Sequence, residues 1–218
     1  MKFPKTLITT TILGFSLASF HSTTWADTSE QQFQQGFEAT TRGDYQTAFK
    51  LWLPMAEQGY AKAQGGLGMM YERGLGVKQD YFKAVNWYRK AAEQDADAQL
   101  NLGMMYSIGR GVKQDDFEAV KWIRKAAEQG YAKAQGGLGM MYANGRGVKQ
   151  DYFKAVNWYR KAAEQGDATA QVLLGFSYLL GKGVQVNKSL AKEWFGKACD
   201  NGDQDGCEYY AKLNRGER

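Results

Sequence analysis

Histidine, cysteine and proline are nearly absent: 218 residues include one His, two Cys and two Pro. The single histidine, His21, falls in an N-terminal segment that reads as a leader, so the expected mature chain has none. That absence removes the Ser-His-Asp and Cys-His nucleophilic arrangements. It also leaves Cys199 and Cys207 without the further ligands that a zinc site needs, so no metal site is expected. No glycine-rich phosphate loop is present, because the glycines that cluster between the periodic segments punctuate helix ends, and no cofactor is expected. Only Pro4 and Pro54 can break a helix through their fixed φ. Together with 14% aromatic and 44% hydrophobic residues, this favours a folded, mostly helical chain over disorder.

Long apolar runs are missing too. The segment Leu7 to Leu17 is interrupted by Thr, Gly and Ser and falls short of the about 20 residues that span a bilayer. Lys2 and Lys5 precede it, and Thr24-Trp25-Ala26 places small residues at −3 and −1 of a cleavage point. That order is characteristic of a secretory signal peptide, 1–26, an uncleaved anchor being the other reading. Cleavage near Ala26/Asp27 predicts a periplasmic or secreted protein with no integral membrane segment. The net charge then drops from +5 to +3, since 28 basic residues lose Lys2 and Lys5 against 23 acidic ones. So small and interspersed a charge does not point to nucleic acid.

What the sequence does have is a repeat. The thirteen residues from Gly59 to Tyr71 recur letter for letter from Gly130 to Tyr142, and Gly76 to Gln94 recurs from Gly147 to Gln165. Leu-Gly recurs at Leu67, Leu102, Leu138 and Leu174, and tryptophan at Trp87, Trp122, Trp158 and Trp194, both in steps of 35, 36 and 36. Such a period specifies a solenoid whose units bury their faces only by stacking.

Each unit reads as two helices. The first is expected over Ala61–Arg73, with Ala63, Leu67, Met70 and Tyr71 on one face and Gly74-Leu75-Gly76 stopping it. Asp80, Asp115, Asp151 and Asn187 are placed to cap the second helices. Ala84, Trp87, Ala91 and Ala92 are expected to point inward, with Gly68 allowing the first helix to approach Ala84 and Ala91. The run Tyr88-Arg89-Lys90 and its copy Tyr159-Arg160-Lys161 are expected on a solvated outer face, with Glu93 and Glu164 in reach of the arginines.

The pattern Ala-Gln-x-x-Leu-Gly-x-x-Tyr, Gly-x-Gly-Val-x-x-Asp-x-x-Lys-Ala and Trp-Tyr-x-Lys-Ala-Ala-x-x-Gly resembles the Sel-one-like repeat family. Four copies carry it over 59–201 (59–94, 95–129, 130–165 and 166–201). Residues 27–58 read as a degenerate tetratricopeptide-like unit in which Gly43-Asp44-Tyr45 and Ala48 match, and 202–218 as a capping helix and tail. The resemblance implies an all-α, right-handed superhelical solenoid of stacked antiparallel helix pairs, acting as an adaptor or scaffold for a protein or peptide.

Cys199 and Cys207 align with Ala163 and Gln171 across a helix–turn–helix. For an exported chain an even pair there reads as a disulfide, with a metal site or free thiols as rivals. The last unit is similar to a cysteine-rich branch of the family with pairs at this spacing. Some members of that branch are linked to β-lactam binding or hydrolysis, and Ser189-Leu190-Ala191-Lys192 matches Ser-x-x-Lys. Neither Ser-Asp-Asn nor Lys-Thr-Gly accompanies it, and Ser189 aligns with Phe153, taken as a packing position; no catalytic residue is assigned. The candidate protein-binding residues lie on the first helices, expected to line the concave face: Met69, Met104, Met140 and Phe176 at one repeat position, with Leu100, Ile108, Val172 and Leu179 beside them. The alternative is that this stripe packs between units. The partner and the oligomeric state are not specified by these residues.

The leader reading predicts that protein recovered from the envelope of an expressing bacterium begins near Asp27. Intact-mass measurement checks it, and a mature chain retaining Met1 would contradict it.

Overall fold

Helix ends are set by Asp and Gly at fixed places in the repeat. Asp80 accepts from the Lys83 amide at 3.0 Å, Asp115 from Phe117 and Glu118, Asp151 from Lys154, and Asn187 from Leu190. Each cap satisfies an amide that has no intrahelical partner and is worth about 1 kcal/mol. At the other end Gly74 takes a left-handed φ of 70° and returns its amide to the Met70 carbonyl.

The computed structural model describes residues 18–216, with side chains from Thr28 onward. The expected leader, 1–26, thus lies outside the described residues except for the backbone of its last nine, which belongs to the first helix. Eleven helices follow one another among the described residues: α1 (Ala18–Thr41), α2 (Tyr45–Glu57), α3 (Ala61–Arg73), α4 (Tyr81–Ala91), α5 (Ala96–Ile108), α6 (Asp116–Glu128), α7 (Ala132–Asn144), α8 (Tyr152–Glu164), α9 (Ala168–Leu180), α10 (Lys188–Asp200) and α11 (Gln204–Asn214). Each packs on the next in chain order, giving an all-α solenoid of helix pairs, and α9 also touches α11. None of the described helices is long and apolar enough to cross a membrane.

The buried residues form clusters that straddle unit boundaries. One joins Ala48, Trp52 and Met55 of α2 to Leu67 and Met70 of α3; the next joins Val85, Tyr88 and Ala91 of α4 to Leu102 and Met105 of α5. The same arrangement repeats between α6 and α7 and between α8 and α9. A unit cut out of the array would expose both of its faces.

Two expectations about the second helix need correction. Tyr88 is the ring that points inward, at 1% exposure, whereas Trp87 is half-buried on the preceding cluster, with the Lys90 ammonium 4.4 Å from its ring centroid. The reason is Gly68, where a Cβ would lie 2.5 Å from the Tyr88 ring. Gly103, Gly139 and Gly175 clear the same space for Ile123, Tyr159 and Phe195. The Leu-Gly glycine therefore accommodates a large side chain, while at Gly103 and Gly139 it also lies close to the carbonyls of Ala119 and Ala155, the counterparts of Ala84. The solvated basic face is also revised: Tyr88 and Tyr159 are buried, and the arginines turn to the next unit instead of to Glu93 and Glu164. Arg89 donates to the Tyr106 hydroxyl at 3.1 Å, Arg124 to Tyr142 and Arg160 to Tyr178.

Buried glutamines tie the units together. Gln64, Gln99, Gln135 and Gln171 donate to the carbonyls of Ala56, Ala92, Ala127 and Ala163 at 2.9–3.1 Å. Three of them accept in turn from Gln129, Gln165 and Asn201 at helix C-termini. No buried side-chain nitrogen or oxygen among the described residues lacks a partner, which keeps this polar ladder from costing stability.

The Gly-x-Gly loop supplies the remaining joint. Gly147 holds φ at 63° and sits on the backbone carbonyl of Asp116, the first residue of the preceding unit's second helix. Gly76, Gly111 and Gly183 sit in the same way on Tyr45, Tyr81 and Tyr152. Between these glycines and the helix there is no room for a Cβ.

Gly147→Ala should therefore destabilise the protein by about 2–5 kcal/mol, combining left-handed strain with overpacking. Gly130→Ala, with φ of 91° but open space around it, should lose only the strain, about 1–2 kcal/mol. Urea unfolding of the two variants separates the terms, and equal losses would contradict the seating of Gly147.

Candidate functional site

The first helices present the expected stripe, but not all of it reaches the surface. Met104 and Ile108 are each 51% exposed and Met140 is 42% exposed, while Met69 and Leu100 are half-buried. Val172 is buried with Ala191, Phe195 and Ala198, and Leu179 packs against the same group. Phe176 is half-buried, its ring edge-on to Phe195 at 5.1 Å and to Tyr209 at 4.6 Å. Val172 therefore leaves the set of surface residues, because α10 and α11 close over the end of the array and turn this part of α9 into core.

Two cavities lie side by side along the first-helix face. One, of ≈ 380 Å³, is lined by Leu100, Met104, Ser107, Ile123, Lys133, Gly137, Met140, Met141, Asn144 and Arg146. The other, of ≈ 250 Å³, is lined by Met140, Ala143, Asn144, Tyr152, Ala155, Tyr159, Leu173, Phe176, Ser177, Leu180 and Lys182. Met140 and Asn144 belong to both, so the two form a continuous apolar groove across α5, α7 and α9. Of the paired leucines ending α9, it is Leu180, 57% exposed, that lines it. Met69 and Ile108 share the face but line neither cavity.

Charge around this groove is of one sign. Lys133, Arg146 and Lys182 line it, and no Asp or Glu does. Arg146 is held by Asp116 at 2.6 Å and by the Ser107 carbonyl at 2.8 Å, bridging two units at the groove edge. Lys182 places its ammonium 5.5 Å from the centroid of the Tyr152 ring. Sequence reasoning missed the second-helix contributors Tyr152 and Tyr159, since they belong by periodicity to the other helix of the pair. Burial pushes the Tyr159 phenol up to about 12, so it is a hydrogen-bond donor at any physiological pH.

A second apolar surface was not foreseen. Phe82, Phe117 and Phe153, at the start of the second helix in three successive units, are 71%, 77% and 67% exposed. Phe153 is therefore not a packing residue, and its alignment with Ser189 no longer explains that serine by packing. Ser189 is itself exposed near the N-terminus of α10, while the Lys192 ammonium lies 5.7 Å from the centroid of the Tyr210 ring.

Cys199 and Cys207 form a disulfide joining α10 to α11, with Cα atoms 4.4 Å apart. Gly206 makes this possible, as a Cβ there would meet Ala198 at 2.7 Å. No group of three or more potential metal ligands occurs among the described residues.

A solenoid of repeated helix pairs with a groove on the first-helix side defines the tetratricopeptide-like class. Within that class the chain belongs to the Sel1 repeat family, whose repeat matches residues 33–60, 61–95, 96–131, 132–167 and 168–203. The first of these segments lies in the stretch set apart above as degenerate. Among solved structures, the chain is similar to c5321, a protective antigen of uropathogenic Escherichia coli with an SLR fold (38% identity, TM-score 0.79, 92% of this chain and 44% of that one). It thus spans less than half of that protein's length. A Sel1 repeat protein from Oxalobacter formigenes shows 37% identity and a TM-score of 0.80, over 85% of this chain and 77% of that one. No curated protein matches. Sel1-repeat solenoids are generally protein-interaction scaffolds and typically non-catalytic.

Replacing both cysteines with serine should cost about 2–3 kcal/mol, the value for a short closed loop. The loss should be local: amide exchange in α11 speeds up while α3 to α6 keep their protection. Uniform loss along the array would show that the bond does more than fasten the end.

Proposed function

We propose that this chain is an exported scaffold that holds a protein or peptide in the groove formed by α5, α7 and α9. The observation that carries the reading is the pair Met104 and Met140. Both are exposed at the same position of successive units, and each lines a cavity. Flexible thioethers adapt to varied apolar side chains, and a surface this apolar on a soluble array marks an interaction site. Export rests on the N-terminal leader and is consistent with the disulfide, since such bonds persist in oxidising compartments. The β-lactam alternative carried by the cysteine-rich resemblance gains no support from the placement of Ser189 and Lys192.

Met104→Glu together with Met140→Glu should lower capture of the envelope partner at least about tenfold, because two adaptable apolar contacts are replaced by hydrated carboxylates that the partner's apolar residues would have to desolvate. Helicity should be unchanged, both side chains being surface-exposed. A crosslinking pull-down from intact envelope reads the effect, and equal recovery by the wild type and the double variant would refute the groove.

A further inference from the structure

The first and third full units provide an internal control. They are identical from Gly59 to Tyr71 against Gly130 to Tyr142, and from Gly76 to Gln94 against Gly147 to Gln165. Since Gly74 matches Gly145, only three positions differ over this stretch: Glu72 against Ala143, Arg73 against Asn144, and Leu75 against Arg146. In the first unit the buried Tyr88 hydroxyl donates to the Glu72 carboxylate at 2.6 Å. Tyr159 holds the same place in the third unit and is only 4% exposed, but Ala143 has no carboxylate to offer.

Where does that hydroxyl point? No residue among those described accepts from it, yet no buried polar side-chain atom lacks a partner. The hydroxyl must therefore open into the cavity that Tyr159 lines. Ser177, in the same cavity, already donates its proton to the Leu173 carbonyl at 2.8 Å. Tyr159, Lys182, Asn144 and Tyr152, whose hydroxyl accepts from Gln150 at 3.0 Å and keeps its own proton, remain as donors around a space walled by Met140, Phe176 and Leu180 and free of acidic residues.

We propose that this cavity is a carboxylate subsite, which receives a Glu or Asp side chain from an apolar peptide segment lying in the groove. The incoming carboxylate takes the position that Glu72 fills in the first unit. It accepts from the Tyr159 hydroxyl and faces the Lys182 ammonium, while the flanking apolar residues of the peptide rest on Met140 and Phe176. A charge-assisted bond that the bound peptide itself covers from water is both strong and selective. Gln in the same place would leave the lysine uncompensated. The proposal rests on the scaffold reading and gives its partner a chemistry: acidic and apolar together.

The test is a selection from a random peptide library on the full chain, with the peptides fused at their C-termini so that every carboxylate comes from a side chain. Binders are sorted by whether Met140→Glu abolishes them. Those that depend on Met140 should share an Asp or Glu at one position among apolar residues. Their synthetic versions should bind Tyr159→Phe and Ala143→Glu about tenfold or more weakly than wild type, the loss expected for a hydrogen bond to a charged group. Their Gln-substituted forms, whose amide oxygen accepts only an uncharged bond, should bind wild type more weakly and lose less than the acidic forms on Tyr159→Phe. Ala143→Glu should melt no lower than wild type, because it installs the contact that Tyr88 already makes. Met140-dependent binders without an acidic preference, or unaffected by either variant, overturn the subsite and leave the groove standing. A parallel library with free C-termini whose binders need only the terminal carboxylate also overturns it. Finding no Met140-dependent binder overturns the subsite and the groove together.

Discussion

The constraint on which the rest depends is that burial runs across unit boundaries as well as within each helix pair, so no unit completes its core alone. The buried clusters from α4 to α9 each join the second helix of one unit to the first helix of the next. At about 25 cal/mol per Å² of apolar surface, this shared burial is the main favourable term, and no unit has it alone. The glutamine ladder, the arginine–tyrosine bonds and the Gly-x-Gly seat all cross the same boundaries. They fix the angle between neighbours, and that angle sets the spacing of Leu100, Met104, Met140 and Leu180 along the groove.

An array built this way must be closed at its ends. At the start, the Phe33 ring stacks on Trp52 at 5.3 Å, and the Trp52 indole donates to the Phe33 carbonyl. Tyr60 and Lys62 hold Glu30 of α1, and hydrogen bonds from Tyr60, Gln34 and Lys62 bring its carboxyl down to about 2. At the far end α11 supplies Tyr209 to the Phe176–Phe195 pair, and the disulfide ties it to α10. That closure draws Val172 and Leu179 inward and leaves Met140 and Leu180 at the edge of the last open cavity.

The fold was legible because it depends on period and punctuation. The bounds of α3, the Asp and Asn caps and the stacked-pair architecture follow from residue types at fixed spacing, which local backbone chemistry reads directly. Trp87 against Tyr88 was not legible. Adjacent helical residues point about 100° apart, and both rings suit a boundary position; the choice is made by Gly68 on another helix. Phe153 misled for the opposite reason, since an apolar residue at constant phase reads as core until its surroundings are known. In the candidate groove, Met104, Met140 and Leu100 stand where helical phase put them. Val172 does not, because α10 and α11 close over it at the end of the array, a contact that helical phase along α9 does not encode.

The central claim is that the first-helix groove, and not the exposed phenylalanine row, is the face that meets a partner. Photo-crosslinking in the intact envelope decides it most directly, with a photoreactive residue placed at position 140 in one strain and at position 82 in another. The account predicts a discrete adduct from position 140 and none from position 82. An adduct formed only from position 82 would contradict it, moving the interaction to Phe82, Phe117 and Phe153 and leaving the groove without a role.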